Sequence, residues 1–227
     1  MNVNGKMDAR KYRRTMIALI VIAALLVVFA AICLWGAWEN TAVQLHHITV
    51  KDEKLPQAFD GYTFAHISDL HNTQFGEDQA RLIELVKESK ADAVVVTGDV
   101  IDKRRPGMEH ALDFFSRAVR LAPVYYVTGN HEAASKEYAA LREQIEAMGV
   151  TVLDDRAVVI GRDGASLTLA GVNDPMFTTA EAEKNAQIMR GKLEETLKGA
   201  DGYTVLLSHR PELFSVYRAA GVDLALA

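Results

Sequence analysis

The 227-residue sequence contains one cysteine, 5 prolines and 15 glycines. A single cysteine excludes a small domain held together by disulfides. The proline and glycine contents are too low for a collagen-like chain, and an apolar fraction of 49% is too high for a disordered one. Length and composition therefore predict one globular domain of ordinary size with an extra segment.

Charge is absent from residues 15–38, where 22 of the 24 side chains are apolar. A helix of this length rises about 36 Å, enough to cross a hydrocarbon core of about 30 Å. Trp35 and Trp38 lie at its far end, where aromatic rings favour the membrane interface. We interpret residues 15–38 as an uncleaved transmembrane signal anchor. A cleaved signal peptide is the alternative, although its apolar region usually spans only about 7–15 residues.

A basic tail over residues 1–14 precedes this span. Positively charged flanks stay on the cytoplasmic side of a membrane. The pattern therefore predicts a single-pass cell-membrane protein with a cytoplasmic N-terminus and an extracytoplasmic folded domain. The only thiol, Cys33, lies inside the span, which is compatible with export. We expect a connector over residues 39–60 and the folded domain over residues 61–227.

Basic residues are scarce beyond the tail. Residues 15–227 carry 20 Lys and Arg against 29 Asp and Glu, a net charge of −9. A domain this acidic lacks the basic surface that binds a nucleic-acid backbone, so we expect no nucleic-acid partner and disfavour a nuclease. An anionic substrate would need a local positive centre such as a metal ion. The sequence indicates no protein partner.

Short apolar runs alternate with amphipathic stretches from Tyr62 onward. The predicted strands are 63–68, 93–97, 124–128, 150–153, 158–160, 166–170 and 204–208, and the predicted helices are 77–89, 108–120, 136–148, 178–197 and 211–220. Within the connector, Ile48–Val50 is a possible edge strand. Nearly continuous apolar strands between helices predict a layered α/β fold with a buried parallel or mixed sheet. The segment around residues 162–165 predicts an antiparallel hairpin within it.

Polar residues follow four of these strands directly. They are Asp69-Leu70-His71, Gly98-Asp99-Val100-Ile101-Asp102, Gly129-Asn130-His131-Glu132 and His209-Arg210. Each cluster alone could be ordinary turn or capping chemistry. Since sites in open α/β sheets form outside the carboxyl ends of the strands, we expect the four to converge. Histidine, aspartate and asparagine without thiolate predict a site for Mn, Fe or Zn.

In this order the clusters resemble the motifs of the calcineurin-like metallophosphoesterases, from about residue 62 to the end of the sequence. The anchor and the Ile-Ser-Asp-Leu-His and Leu-Ser-His-Arg-Pro-Glu stretches are similar to the membrane-associated bacterial branch. The resemblance implies a metallophosphoesterase-type β-sandwich flanked by helices. It also implies two divalent metal ions: Asp69 and His71 would bind one, Asn130 and His209 the other, and Asp99 would bridge both.

The same resemblance implies roles for two catalytic residues. His131 would lie beside the substrate phosphate as proton donor or charge stabiliser, and Asp102 would orient it. The implied reaction is hydrolysis of a phosphoester by a hydroxide that the two metals activate, since paired cations lower the pKa of a shared water. Proximity to a bilayer makes an envelope or lipid-linked phosphodiester or diphosphate the expected substrate.

One element of the family pattern, a Gly-His-x-His that supplies a ligand to each metal, is missing from this sequence. Residues 221–226 look like the strand that would lead to it, and the sequence ends at Ala227. The chain is then either a truncated segment of an active enzyme or a naturally short form. The short form would be a catalytically impaired, membrane-tethered binding module on the same fold.

Two further polar residues adjoin the motifs. Glu132 fits the motif of Asn130, yet an exposed carboxylate at the start of a helix explains it equally well. Arg210 could contact a substrate phosphate or form a salt bridge with Glu212 or Asp174.

Overall fold

The computed structural model describes residues 9–39 and 42–227. Part of the predicted basic tail, residues 1–8, and residues 40 and 41 of the predicted connector lie outside the described residues. The chain divides into two compact units between Gln44 and Leu45. In the first, helix α1 spans Ala9–Glu39, and its Lys11–Gly36 portion is long and apolar enough to cross a membrane. Residues 16–35 of this helix are all apolar and exposed, which is typical of a lipid-facing segment.

The second unit contains a first sheet of four parallel strands in the order β1-β2-β3-β4. They span Phe64–Ile67, Ala93–Val96, Val124–Tyr126 and Thr151–Val152. All four residues of β2 are buried, because both faces of the sheet are covered. This is why the strand reads as a continuous apolar run.

Three helices, α2, α3 and α5, accompany the first sheet. They span Ala80–Ser89, Glu109–Ala118 and Tyr138–Ala147, and the short helix α4, Asn130–Ala134, follows β3. Each long helix buries apolar residues at helical spacing, such as Leu82 and Val86 in α2. The ring of Phe115 in α3 packs edge-on against Tyr126 of β3, with centroids 5.6 Å apart.

The second sheet has the order β5-β6-β7-β8, with β5 antiparallel to β6 and the other pairs parallel. Its strands span Arg156–Arg162, Ala165–Gly171, Tyr203–Leu207 and Leu224–Leu226. The predicted hairpin is confirmed: Asp163 and Gly164 join β5 to β6 with φ of 49° and 81°, the left-handed pair that a tight hairpin turn requires. Helices α6, Asn185–Thr196, and α7, Phe214–Ala219, pack on this sheet through Met189 and Val216.

Residues of both sheets share one apolar core. Val95 of β2 and Val127 after β3 pack with Leu167 and Leu169 of β6 and Val205 of β7. The two sheets therefore lie face to face with helices outside them, which confirms the layered α/β sandwich.

One possible strand is absent and one helix begins well after its predicted start, whereas the other predicted boundaries lie within three residues of the observed ones. Ile48–Val50 forms no strand, and Ile48 is 87% exposed, since an edge strand needs a hydrogen-bonded neighbour that this segment does not have among the described residues. Helix α6 begins at Asn185 rather than at residue 178, because a turn and a short 3-10 helix at Ala182–Lys184 precede it.

Candidate metal centre

The loops that follow β1 and β2 run side by side at the carboxyl edge of the first sheet. The N–H of Asp69 donates to the carbonyl of Gly98, and the N–H of His71 donates to the carbonyl of Asp99. These bonds hold three non-glycine residues in the left-handed region, with φ of 58° at Asp69, 46° at His71 and 52° at Asp99. Backbone of this kind is rare and concentrates at functional sites.

Two glycines let the loop after β2 and the loop after β3 approach each other. A Cβ at Gly98, whose φ is +96°, would lie 2.5 Å from the backbone nitrogen of Gly129. A Cβ at Gly129 would lie 2.2 Å from Oδ1 of Asp99 and 2.8 Å from Cδ2 of His209. Gly129 itself has an extended backbone with φ of −106°, so glycine is required there for space and not for a left-handed turn.

Asp99 lies at the centre of the polar side chains. Its Oδ2 is 3.2 Å from Nε2 of His209, 3.8 Å from Nε2 of His71 and 3.9 Å from Nε2 of His131. Oδ1 of Asp69 is 3.5 Å from Nε2 of His71 and 4.0 Å from Nε2 of His209. Five residues from four loops, up to 140 positions apart in the sequence, thus converge as expected.

The ligand atoms form two groups, His71–Asp99–His131 and Asp69–Asp99–His209, each with its atoms within 4.8 Å of one another. Both groups contain Asp99, which is the arrangement a bridging carboxylate needs. The division differs from the one that the family resemblance implies, in which Asp69 pairs with His71 and His131 is not a ligand. The predicted role of each residue therefore stays a prediction.

A backbone carbonyl orients His209. Its Nδ1 lies 2.7 Å from the carbonyl oxygen of Thr97. Since a carbonyl only accepts, Nδ1 carries a proton and Nε2 faces the acidic side chains. Burial alone would lower the pKa of His209, but the hydrogen bond and charge of Asp99 outweigh it and raise the pKa to about 9. Sequence reasoning did not identify Thr97, because a backbone carbonyl leaves no mark in the residue type.

The two candidate carboxylates differ in exposure. The side chain of Asp99 is 4% exposed and that of Asp69 is 55% exposed. Burial would raise the pKa of Asp99, yet the hydrogen bonds from His209 and from the backbone N–H of His131 lower it overall. Asp99 is therefore an ionised carboxylate with restricted access to water, and Asp69 lies at the open side of the centre.

His131 lies at the start of α4 with its ring edge-on to that of His71, at a centroid distance of 4.5 Å. Its Nδ1 accepts a hydrogen bond of 3.2 Å from the N–H of Lys103 and lies 3.4 Å from Oδ1 of Asp102. Asp102 is buried and also binds Arg105. In the neutral ring this contact leaves the proton on Nε2, the atom that faces the site. Burial lowers the pKa of His131, and the charge of Asp99 opposes that effect.

Asn130, the remaining predicted ligand, is half-buried and opens α4 directly after Gly129. Its position in the chain places it on the loop that touches both Asp99 and His209.

Glu132 differs from the exposed carboxylate that the sequence indicated. It is 1% exposed, and its two oxygens accept four backbone N–H groups from the loops after β2 and β3. Burial and the neighbouring charge of Asp99 raise its pKa to about 7, and the N–H donors act in the opposite direction. The motif pattern placed Glu132 next to the site, but its burial depends on the fold of α4 over the β2 loop.

Arg210 forms a two-point ion pair with Asp174. Its Nε lies 2.6 Å from Oδ2 and its Nη2 lies 2.8 Å from Oδ1, and the Asp174 side chain is fully buried. Nη1 of Arg210 also lies 3.6 Å from Oε1 of Glu212, so both salt bridges that the sequence left open are present.

The donor set fits divalent cations. Two carboxylates and three imidazole nitrogens converge, and the described part of the chain contributes no Lys or Arg ion pair to Asp69 or Asp99. Nδ1 of His71 is buried without a hydrogen-bond partner among the described residues. Mixed nitrogen and oxygen ligands without sulfur suit Mn, Fe or Zn.

Comparison with known proteins agrees with this geometry. Residues 62–225 match the model of the calcineurin-like phosphoesterase family. The chain is 27% identical over 208 residues to a zebrafish (Danio rerio) transmembrane protein with metallophosphoesterase domain, covering 88% of this chain and 45% of that protein. It is 26% identical over 179 residues to the uncharacterised metallophosphoesterase YkuE of Bacillus subtilis, covering 77% of this chain and 59% of that protein. The chain therefore spans about half the length of these curated relatives.

The fold also has a solved counterpart. The crystal structure of TT1561 from Thermus thermophilus superposes with a TM-score of 0.54 at 16% identity, covering 71% of this chain and 79% of that one. At this identity the likeness concerns the fold alone.

Proposed function

Because this chain belongs to the calcineurin-like phosphoesterase family and is a metal-dependent phosphoester hydrolase by that membership, we propose that its chemistry takes place at the two ligand groups that share Asp99. That shared carboxylate is the observation that carries the proposal. Two cations close enough to act on one phosphoryl group need a carboxylate that reaches both.

We assign the ligands as the family pattern has them. Asp69 and His71 would hold one cation, Asn130 and His209 would hold the other, and Asp99 would bind both. Bound divalent cations supply Lewis acidity, which neutralises the phosphoryl oxygens and lowers the pKa of a bound water. His209 contributes a ring that the Thr97 carbonyl already orients, so less conformational freedom is lost when a cation binds.

His131 acts as the proton donor to the leaving oxygen. The donor is the imidazolium form, in which the Nδ1 proton faces Oδ1 of Asp102, 3.4 Å away, and the Nε2 proton faces the substrate side. An imidazole is suited to this transfer, because it passes from the imidazolium to the neutral form when it gives up the proton. Asp102 keeps the ring in this orientation, and its own carboxylate is held by Arg105.

The uncharged segment over residues 15–38, preceded by the basic tail, supports a single-pass topology with the catalytic domain outside the cytoplasm. Protease added to intact spheroplasts should then degrade residues 61–227. If the protease degraded the domain only after the membrane was permeabilised, the proposed topology would be wrong, and the proposed activity would still stand.

An envelope or lipid-linked phosphodiester or diphosphate is the substrate class we propose, because a tethered domain meets such molecules at the bilayer surface. The test is a hydrolysis panel on the full chain in detergent with Mn, Fe and Zn, comparing monoesters, diesters and diphosphates. We expect metal-dependent turnover that favours the diesters or diphosphates. Preference for a soluble monoester would refute the substrate class.

Metal content of the purified protein separates the enzyme from a membrane-tethered binding module on the same fold. Two metals per chain are expected for the enzyme. A chain that contains no metal and hydrolyses no member of the panel would be the binding module instead.

A further inference from the structure

Glu132 is a buried carboxylate for which the proposed reaction has no chemical use. It is 1% exposed and lies in α4 next to His131. A buried carboxylate is costly unless hydrogen bonds compensate for its lost hydration. Within residues 9–39 and 42–227, its hydrogen-bond partners are all backbone N–H groups.

Each oxygen of Glu132 accepts two of these groups. Oε2 lies 2.8 Å from the nitrogen of Asp99 and 2.7 Å from that of Gly129. Oε1 lies 2.8 Å from the nitrogen of Val100 and 3.2 Å from that of Ile101. One side chain thus holds three consecutive residues of the β2 loop, Asp99 to Ile101, beside Gly129 of the β3 loop.

One of these hydrogen bonds holds the backbone of Asp99, the residue at the centre of the site. Asp99 has a φ of 52°, in the left-handed region that non-glycine residues adopt uncommonly. The N–H of Asp99 donates to Glu132, and its Oδ1 accepts from the N–H of His131 at 2.8 Å. Both the backbone and the carboxylate of Asp99 are therefore held in place. The direction of its carboxylate therefore depends on the Glu132 contact.

We infer that Glu132 is a positioning residue that holds the Asp99 backbone so that its carboxylate reaches both ligand groups. This inference rests on the proposed function, because it assumes that Asp99 bridges two cations. Glu132 touches neither cation nor substrate. It acts through the four N–H groups of the two loops.

Neither Gln nor Asp, the two most similar side chains, can replace Glu132. Four N–H donors need two acceptor oxygens, and the amide of Gln would point its own N–H groups at two of them. Asp keeps both oxygens but is shorter by one methylene and cannot reach both loops. Glu132→Gln and Glu132→Asp should therefore loosen Asp99 in different ways.

Two control variants separate positioning from other effects. Glu137→Gln makes the same change in a carboxylate that accepts the N–H of Gly107, at the far end of the β2 loop from Asp99. Leu193→Ala removes a side chain that is 1% exposed in the core around α6 and lowers stability without touching the site.

The experiment measures Mn(II) affinity by calorimetry, the Mn(II) paramagnetic resonance spectrum and the melting temperature of the full chain in detergent. We expect both Glu132 variants to bind Mn(II) about ten- to a hundredfold more weakly, as the loss of other groups that support metal ligands does. The signal of exchange-coupled paired Mn(II) should give way to that of isolated Mn(II). Glu137→Gln and Leu193→Ala should retain wild-type affinity and the paired signal.

The outcomes separate the two proposals. Wild-type affinity and a paired spectrum in the Glu132 variants would overturn the positioning role and leave the proposed function standing. A wild-type chain that binds no Mn(II) would overturn both. If Leu193→Ala, at the same loss of melting temperature, weakened Mn(II) binding equally, the effect would be one of stability and the positioning role would be refuted. Should Glu132→Gln not fold, Glu132→Asp, which retains the charge, gives the same readouts.

Discussion

A methyl group added at Gly129 would enter the metal centre. The φ of −106° there suits alanine, so Gly129→Ala introduces contact without backbone strain. The new Cβ would lie 2.2 Å from Oδ1 of Asp99, 2.7 Å from its nitrogen and 2.8 Å from Cδ2 of His209. Non-bonded carbon contacts are about 3.5–4.0 Å, so these neighbours must move by roughly 1 Å.

The cost follows from that displacement. Excess volume in a tightly packed site destabilises a protein by about 1–3 kcal/mol. For a domain of this size each kcal/mol shifts the melting temperature by about 2–4 °C, so we expect a drop of about 2–12 °C. Since two candidate ligands, Asp99 and His209, are moved, Mn(II) affinity should fall by about tenfold or more.

Thermal unfolding and calorimetric titration with Mn(II) check both numbers. Gly191→Ala is the matched control: it lies inside α6, and its new Cβ would contact nothing within 4 Å. Alanine should stabilise the helix there by about 0.5–1 kcal/mol and leave Mn(II) binding unchanged. If Gly129→Ala matched wild type in both melting temperature and affinity, the close approach of the two loops would not exist in solution.

Three further predictions concern single side chains. His131→Ala should lower turnover by about 10²–10⁴-fold with metal content retained, and loss of metal by elemental analysis would instead assign His131 as a ligand. Asp154→Asn should cost about 1–3 kcal/mol in urea unfolding, because Oδ2 of the half-buried Asp154 accepts the hydroxyl of Tyr138 and pairs with Arg142, which an amide NH₂ in its place cannot do, and an unchanged midpoint would contradict this. Burial would raise the pKa of Asp223, but the hydrogen bond from Lys54 helps to lower it from 3.8, so its stabilisation is complete above that value and lost as pH falls below it. The stability difference between wild type and Asp223→Asn should therefore be largest near pH 6 and shrink below about pH 4, and a difference independent of pH would refute the assignment.

Most strands could be predicted from the sequence because burial on both faces leaves an unbroken apolar run, as in Ala93–Val96. The hairpin could be predicted as well, since its turn uses Asp163 and Gly164, residues that accept a left-handed backbone. The division into two sheets could not be read from apolar runs. Which strands pair depends on contacts between distant segments, and periodicity within a strand does not encode them.

The candidate site, like the fold, could be predicted from the sequence only in part. The residue types and their place after each strand could be read directly, because the carboxyl ends of neighbouring parallel strands meet at one edge. Glu132 could not be placed: a carboxylate near the start of a helix is usually solvated, and only the fold of α4 over the β2 loop buries it. The carbonyl of Thr97, which orients His209, belongs to the backbone and has no signature in the sequence.

By itself, the sequence determined an uncharged N-terminal segment long enough to span a membrane and a set of nitrogen and oxygen ligands in the order of the family motifs. Both are local properties, set by composition and by spacing along one segment. Only the tertiary structure decided that His209 lies 3.2 Å from Asp99 and that the ligand atoms form two groups around one carboxylate. The first distance and the group Asp69–Asp99–His209 join the loop after β2 of one sheet to the loop after β7 of the other, so they exist only once the two sheets have packed face to face.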